Sequence, residues 1–494
     1  MGTARVTPLQ DRPESRSRTG QGPPGSTGSR RRGGYIAAAI VLSVLGGVGV
    51  ARFHPLFVFG VMASILAAYI VVTMPFIGLL LYTILYWWRP GELYPPVSGL
   101  HLERVVGALA LVGMFLEQYQ RERRLFIDGT RQTKTLFLTV LLVVISAVYA
   151  YSPSLAINEA IDFIKLVVLY LLIVHMVNTR SRWWLFLGLW LACVGKTAFD
   201  SLRAYFFGGW AQYTMGIKRA IGQNDAGGDP NALAVTMSAT IPILLLLSFH
   251  KPLRWARIPA ALLAVLLTVT MALTGSRSGL IGFFSGLLFL WWRGRRRLVT
   301  GLCGLAIIGA GLVVLPDQYK TRYATIGSKQ IDSSSQGRLD VWKVGLRMVA
   351  DHPVTGIGIG CFSLAHAERY SPEFQENPLI AHSLYVGVLA ELGVCGALVF
   401  FAFVFGMLRL NRRAGRALGV DREAWQGESL VLRGMAAGVF CLLLTGVFGT
   451  SYTRPTWYVY AAVAAAVMRI HAEGLNLDAG TKGTVSRWPE EVMR

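Results

Sequence analysis

Charge is scarce in this 494-residue chain, where Asp, Glu, Lys and Arg together make up 15%. Soluble domains carry about 25%. With 53% hydrophobic residues and a mean hydropathy of +0.48, the chain reads as an integral membrane protein. Acidic residues are scarcer still, 27 against 48 Lys and Arg, for a formal charge of +21. In a soluble chain that excess would suggest nucleic acid. Here its placement in short loops between apolar segments assigns it to membrane topology, and no nucleic-acid partner is expected. Cysteine is rare too. Cys193, Cys303, Cys395 and Cys441 fall in apolar segments, only Cys361 sits in a polar loop, and no CxxC pair occurs. Neither a disulfide framework nor a zinc site has a basis there, and packing is the expected role. No Walker motif, GxSxG elbow or HExxH occurs, so an ATPase, a serine hydrolase and a zincin are unsupported.

What is present is a series of apolar segments. Residues 1–34, rich in Arg, Gly, Pro, Ser and Thr, read as a disordered basic tail. A retained first span follows at 35–51. Further spans are expected near 55–73, 75–90, 102–118, 135–151, 161–178, 183–207, 230–249, 258–274, 278–292, 297–315, 381–408, 429–450 and 455–470. The fold class is therefore all-α, polytopic, with about fourteen (twelve to fourteen) transmembrane helices. The expected divisions are the tail 1–34, an N-terminal bundle 35–210, a central region 211–410, C-terminal helices 411–470 and a tail 471–494. With the N-terminus inside, every Arg cluster falls on the inner side, and both termini are cytoplasmic. The outer side then holds 207–229, the turn Thr274–Ser278, the turn Ser451–Thr456 and one long polar loop, 316–380, between the eleventh and twelfth spans.

That loop and the span start that follows it hold three of the eight histidines, His352, His366 and His382. Long polar connections of this kind are usually functional or disordered. The aromatic residues Trp342, Phe362 and Tyr370 argue for order. From Gly337 to His352, Leu339, Trp342, Leu346 and Val349 recur at helical spacing with Arg338, Asp340, Lys343 and Arg347 between them. This pattern predicts a short amphipathic helix lying on the membrane surface and ended by His352-Pro353. Gly356-Ile-Gly358-Ile-Gly360 reads as a flexible turn. It is not a dinucleotide fingerprint, because no strand precedes it. With 363–380 it reads as a lid over a site shared with Arg277.

Ionisable residues at membrane depth are functional candidates. Arg277 in Thr274-Gly-Ser-Arg-Ser-Gly279, Arg219 ahead of Asp229-Pro-Asn231, Arg338 and Arg454 all fall on the outer side. Two readings stand for each: a side chain snorkelling to the headgroups, or one of a cluster of guanidiniums holding phosphate bidentately. For Lys165, an internal pair with Asp162 or Asp200 is the better account. His382 starts a span at the outer interface, where it is either a structural residue or a general base for a hydroxyl. Glu391 lies on much the same helix face and reads as a supporting or packing group. His352, His366, Glu368 and His382 share the loop at spacings that match no metal-ligand pattern, so no metal is expected.

Taken together and in order, Gly337-Arg338-Leu-Asp-Val-Trp342, Asp351-His-Pro353, Thr355-Gly-Ile-Gly358, Cys361-Phe362, His382-Ser-Leu-Tyr and Glu391-Leu-Gly393 resemble the C-terminal signature of the O-antigen ligase and polymerase superfamily. Thr274–Gly279 and the 219–231 region are similar to its upstream elements, so the resemblance covers roughly residues 215–400. The stretch from Met74-Pro-Phe-Ile-Gly to Trp88-Arg-Pro90 also resembles the O-glycosylation-ligase branch associated with exosortase systems. Gly222-Gln-Asn-Asp-Ala-Gly-Gly-Asp-Pro-Asn231 is longer than the compact segment usual there.

The resemblance implies a C-type, inverting, membrane-embedded glycosyltransferase of the bacterial inner membrane. Such an enzyme moves a glycan from undecaprenyl pyrophosphate to a lipid, sugar or protein hydroxyl at the periplasmic face, with no metal or nucleotide cofactor. By matched position it makes His382 the base, and Arg338, Arg277 and Arg219 the groups that hold the pyrophosphate. A repeat-unit polymerase is the nearest alternative, and a polysaccharide or lipid flippase is an alternative of another class. Against the flippase, the two halves show no evident repeat and the polar residues gather in one outer loop.

Overall fold

The computed structural model describes residues 55–90, 99–123, 125–127, 129–209, 211–214, 217–222, 229–250, 254–293, 316–324, 333–374, 378–420, 424–449 and 451–478. The expected basic tail 1–34, the spans at 35–51 and 297–315, and the tail from 479 lie outside them. The chain divides into two units, residues 1–67 and 68–494.

The described residues are almost wholly helical. In order they form α1 (Pro55–Thr73), α2 (Pro75–Trp88), α3 (Leu102–Glu122), α4 (Arg131–Val148), α5 (Pro153–Met176) and α6 (Arg180–Phe207). A short antiparallel hairpin follows, β1 (Gln212–Thr214) with β2 (Ile217–Arg219). Then come α7 (Pro230–Ser248), α8 (Arg254–Leu273), α9 (Arg277–Arg293), α10 (Asp317–Ala324), α11 (Ser333–Asp351), α12 (Leu384–Val420), α13 (Gln426–Gly449) and α14 (Pro455–Asp478). Six helices among the described residues are long and apolar enough to cross a membrane: α4, α6, α7, most of α8, most of α12, and α13. This is the architecture of an α-helical integral membrane protein. The hairpin was not expected from the sequence, and α5 begins eight residues earlier than its apolar run because Pro153 at its first position supplies a helix start.

The core sits where α7, α9, α13 and α14 meet. Apolar side chains have little to gain by leaving lipid for protein, so close backbone approach and interhelical hydrogen bonds must hold the helices. Small residues permit the approach: a Cβ on Gly434 would come within 2.6 Å of Ile243 Cα, and one on Gly438 within 2.4 Å of the Ala239 carbonyl. Polar side chains complete the contact, with Tyr460 Oη donating to Ala239 O at 2.9 Å and Ser238 Oγ to Gly279 O at 2.8 Å. Across the N-terminal helices, Trp183 Nε1 reaches Val463 O at 3.0 Å and Gln132 Nε2 reaches Phe403 O at 2.9 Å.

The long loop corrects two expectations. Residues 333–351 do form a helix, but the face α11 buries is Val341, Val344, Gly345 and Met348, packed against the first turns of α12. Leu346 is 56% exposed where Val341 is 3%. The helix therefore carries two apolar stripes, and the periodicity singled out the outer one. Gly345 fixes the packing, since a Cβ there would stand 2.3 Å from Val386 Cγ1.

The Gly356–Gly360 segment is a buried clasp, not a flexible turn. Helix α12 breaks at Gly393, whose φ of 68° and ψ of −176° are not helical. The loop takes over the hydrogen bonds lost there: Ile357 N donates to Ala390 O at 2.8 Å, Gly358 N to Glu391 O at 3.1 Å, and Val394 N to Pro353 O at 2.8 Å. Backbone groups freed inside a membrane protein must find such partners. Gly356 has φ 69°, and a Cβ on it would sit 2.4 Å from the Glu391 carbonyl carbon.

Candidate functional site

The site is assembled at the end of the bundle where α7 and α9 begin, α13 ends and α12 starts. His382 stands immediately before α12 with φ 45°, the left-handed region that non-glycine residues rarely occupy. Its peptide is held from the loop side, because Trp342 Nε1 of α11 donates to Ala381 O at 3.1 Å. Arg338 precedes Trp342 by four residues and so lies on the same helix face, which brings its charge to the imidazole. Burial chiefly, and the Arg338 guanidinium next, hold the His382 pKa below the ordinary imidazole range, while Asp229 acts in the opposite sense. The ring is thereby biased toward the neutral form that can accept a proton.

Arg219 ends β2 and is 5% exposed. It donates from Nε to Thr274 O at 2.6 Å and from Nη2 to Asn231 Oδ1 at 3.0 Å. The same Asn231 oxygen accepts from Ser276 Oγ at 2.9 Å. Ser276 in turn caps α9, its Oγ accepting from Gly279 N at 3.2 Å, which leaves Arg277 as the first residue of that helix. Thus Arg219, Asn231 and the Thr274–Ser278 turn form one connected unit. Asp229 joins it as the cap of α7.

A clamp not foreseen from the sequence holds the hairpin. Tyr319 of α10, fully buried, donates to Lys218 O and lies 2.8 Å from Tyr205 Oη. Tyr323, one turn on, donates to Ala272 O at 2.9 Å. The two hydroxyls land on the chain just before Arg219 and just before Thr274. The only sequence signal was a pair of tyrosines four apart in a short polar helix.

Glu391 is the hub of the clasp. Its carboxylate accepts from Tyr452 Oη at 2.6 Å and from the backbone N–H groups of Gly360 and Phe362. It thus links the glycine loop, the break in α12 and the turn after α13. Arg454, in the same turn, donates from Nη1 to Ala232 O at 3.1 Å and to Thr236 Oγ1 at 2.6 Å, a strut across the start of α7. Lys165 pairs with Asp162 at 2.7 Å and with Glu103 at 3.4 Å, whereas Asp200 pairs with Lys196.

The structure therefore brings His382, Arg338, Asp229, Arg219 and Arg277 to one end of the bundle and leaves Lys165 in an ion pair of its own. Comparison with known proteins gives two matches. Residues 262–401 match a family model described as O-antigen ligase. A curated O-antigen ligase of Pseudomonas aeruginosa is 28% identical over 191 residues, which is 37% of this chain and 41% of that protein. The chain thus matches well under two thirds of that relative's length.

Proposed function

We propose, for a chain that belongs to the O-antigen ligase superfamily, an inverting transfer of glycan from undecaprenyl pyrophosphate to an acceptor hydroxyl at the outer face of the bacterial inner membrane. His382 is the general base. As the acceptor oxygen attacks the anomeric carbon, its proton passes to the imidazole. The bond from that carbon to the pyrophosphate oxygen breaks, and its electron pair leaves with the pyrophosphate. Arg338, Arg277 and Arg219 offset the charge that develops there. The central region 211–410 carries this chemistry on a C-type architecture, and the bundle before residue 211 supports it.

The observation that carries the proposal is the setting of His382: a left-handed backbone at a helix start, a carbonyl anchor from Trp342 on its flank, and the charge of Arg338 upon it. Strained residues held by their surroundings cluster at functional sites. Orientation with both termini cytoplasmic is supported by α12, whose far end exposes Arg409, Arg412, Arg413 and Arg416. The test is complementation of a deletion strain with His382→Ala and Arg338→Ala. Both proteins insert at the wild-type level, surface glycan is absent, and carrier-linked glycan accumulates. Normal surface glycan from either variant would contradict that residue's role.

A further inference from the structure

An imidazole that accepts a proton beside an arginine needs a compensating charge. Asp229 stands immediately before α7, its carboxylate fixed by Asn231 N at 3.0 Å, Asn231 Nδ2 at 3.1 Å and Ala232 N at 3.2 Å. This is a helix cap followed by proline, and an Asn or Ser would serve the cap as well. The residue here is an acid. Two links bind this end of α7 to the peptide of His382. Arg454 ties Ala232 and Thr236 to the turn that follows α13. Gly449, the last residue of α13, lies beside His382: a Cβ on it would stand 4.0 Å from the His382 carbonyl oxygen, in ordinary van der Waals range. Among the described residues, the charged groups acting on the imidazole are Arg338 from α11 and Asp229 from the α7 cap, which are opposite in sign.

We propose that Asp229 is the counter-charge of His382, a positioning residue that stabilises the imidazolium formed when the acceptor hydroxyl gives up its proton. The inference rests on His382 being the base. Asp229 neither takes the proton nor touches the donor. It offsets the new positive charge, which otherwise forms beside the Arg338 cation, as a buried carboxylate does for a catalytic histidine in general. Its three N–H donors hold the carboxylate in place at the start of α7.

The test compares the full chain with Asp229→Asn, which keeps the cap and loses the charge, and with Asp229→Ala, which loses both. In detergent-solubilised protein carrying ¹³C-labelled histidine, the His382 signal is identified by its loss in His382→Gln. In Asp229→Asn its titration midpoint falls by roughly half a pH unit or more. Transfer is measured with undecaprenyl-pyrophosphate-linked glycan in membrane vesicles of a deletion strain. It slows roughly tenfold, its acid limb moves in the same direction, and the thermal midpoint stays near wild type. A His382 midpoint unchanged in Asp229→Asn overturns the proposal and leaves Asp229 as a cap alone. A shifted midpoint together with glycan transfer by His382→Gln overturns its catalytic part through failure of the base assignment, a result distinct from the first.

Discussion

Trp342 donates its indole N–H to the carbonyl of Ala381 at 3.1 Å, and so joins the loop helix to the peptide that carries His382. Arg338 lies one turn back along α11, and its charge acts on the imidazole. Trp342→Phe keeps the ring and removes the donor. A single such bond is worth about 1 kcal/mol, so the thermal midpoint moves little. If His382 is the base, transfer depends on where it stands and falls roughly tenfold or more. A variant with wild-type transfer would show that the anchor is dispensable.

The pH dependence follows from the charges around the base. As the proposed base, His382 must be neutral to act, and burial and Arg338 both keep its pKa below the ordinary imidazole value. Transfer therefore persists below that value as pH falls and is lost only in more acidic medium. Arg338→Gln removes the second cause. Its residual transfer is slower, and its acid limb lies at higher pH than in the wild type. Rate-against-pH curves on the two proteins measure the difference, and a limb that moves to lower pH would contradict the assigned coupling.

The clasp at the break in α12 gives a stability prediction. A Cβ on Gly393 would stand 2.2 Å from Val354 O at a φ of 68°. Steric overlap with backbone and a left-handed conformation act together, so Gly393→Ala costs roughly 3 kcal/mol or more. Heat-induced loss of the folded fraction in detergent checks this. Gly337→Ala, inside α11 with nothing within 4 Å of the added Cβ, is the control and does not lower the midpoint.

Asn231 shares one oxygen between Arg219 and Ser276. Asn231→Ala leaves both donors without that acceptor, at a cost of about 1–3 kcal/mol. If the unit orients Arg219 and Arg277 on a pyrophosphate, the Michaelis constant for the lipid-linked donor rises more than the turnover number falls. An equal fall in turnover without a change in that constant would point to the base side of the site instead.

Much of this arrangement was legible in the residues. Apolar segments located most helices within a few positions, and the basic residues expected on the outer side, with one histidine, fall at one end of the bundle. What escaped was tertiary. Leu339 and Leu346 have the right period for a core-facing stripe. Gly345 admits the closest approach of α12 on the neighbouring face, so the helix turns Val341, Val344 and Met348 inward. The glycines of 356–360 read as freedom because their partners lie more than thirty residues away, in the carbonyls exposed by the break at Gly393. Tyr319 and Tyr323 give no pattern of their own, and their meaning comes from the carbonyls they reach. Asp229-Pro230 was readable as a helix cap, but that this end of α7 and the start of α12 lie at the same end of the bundle was not.

The most direct test of the account is glycan transfer by purified protein, with undecaprenyl-pyrophosphate-linked glycan as donor and acceptor-containing membranes of a deletion strain. Wild type and His382→Gln are compared at equal amounts of folded protein. The expected result is transfer by the wild type and none above background by His382→Gln at any pH. Transfer by His382→Gln at a rate near wild type would contradict it.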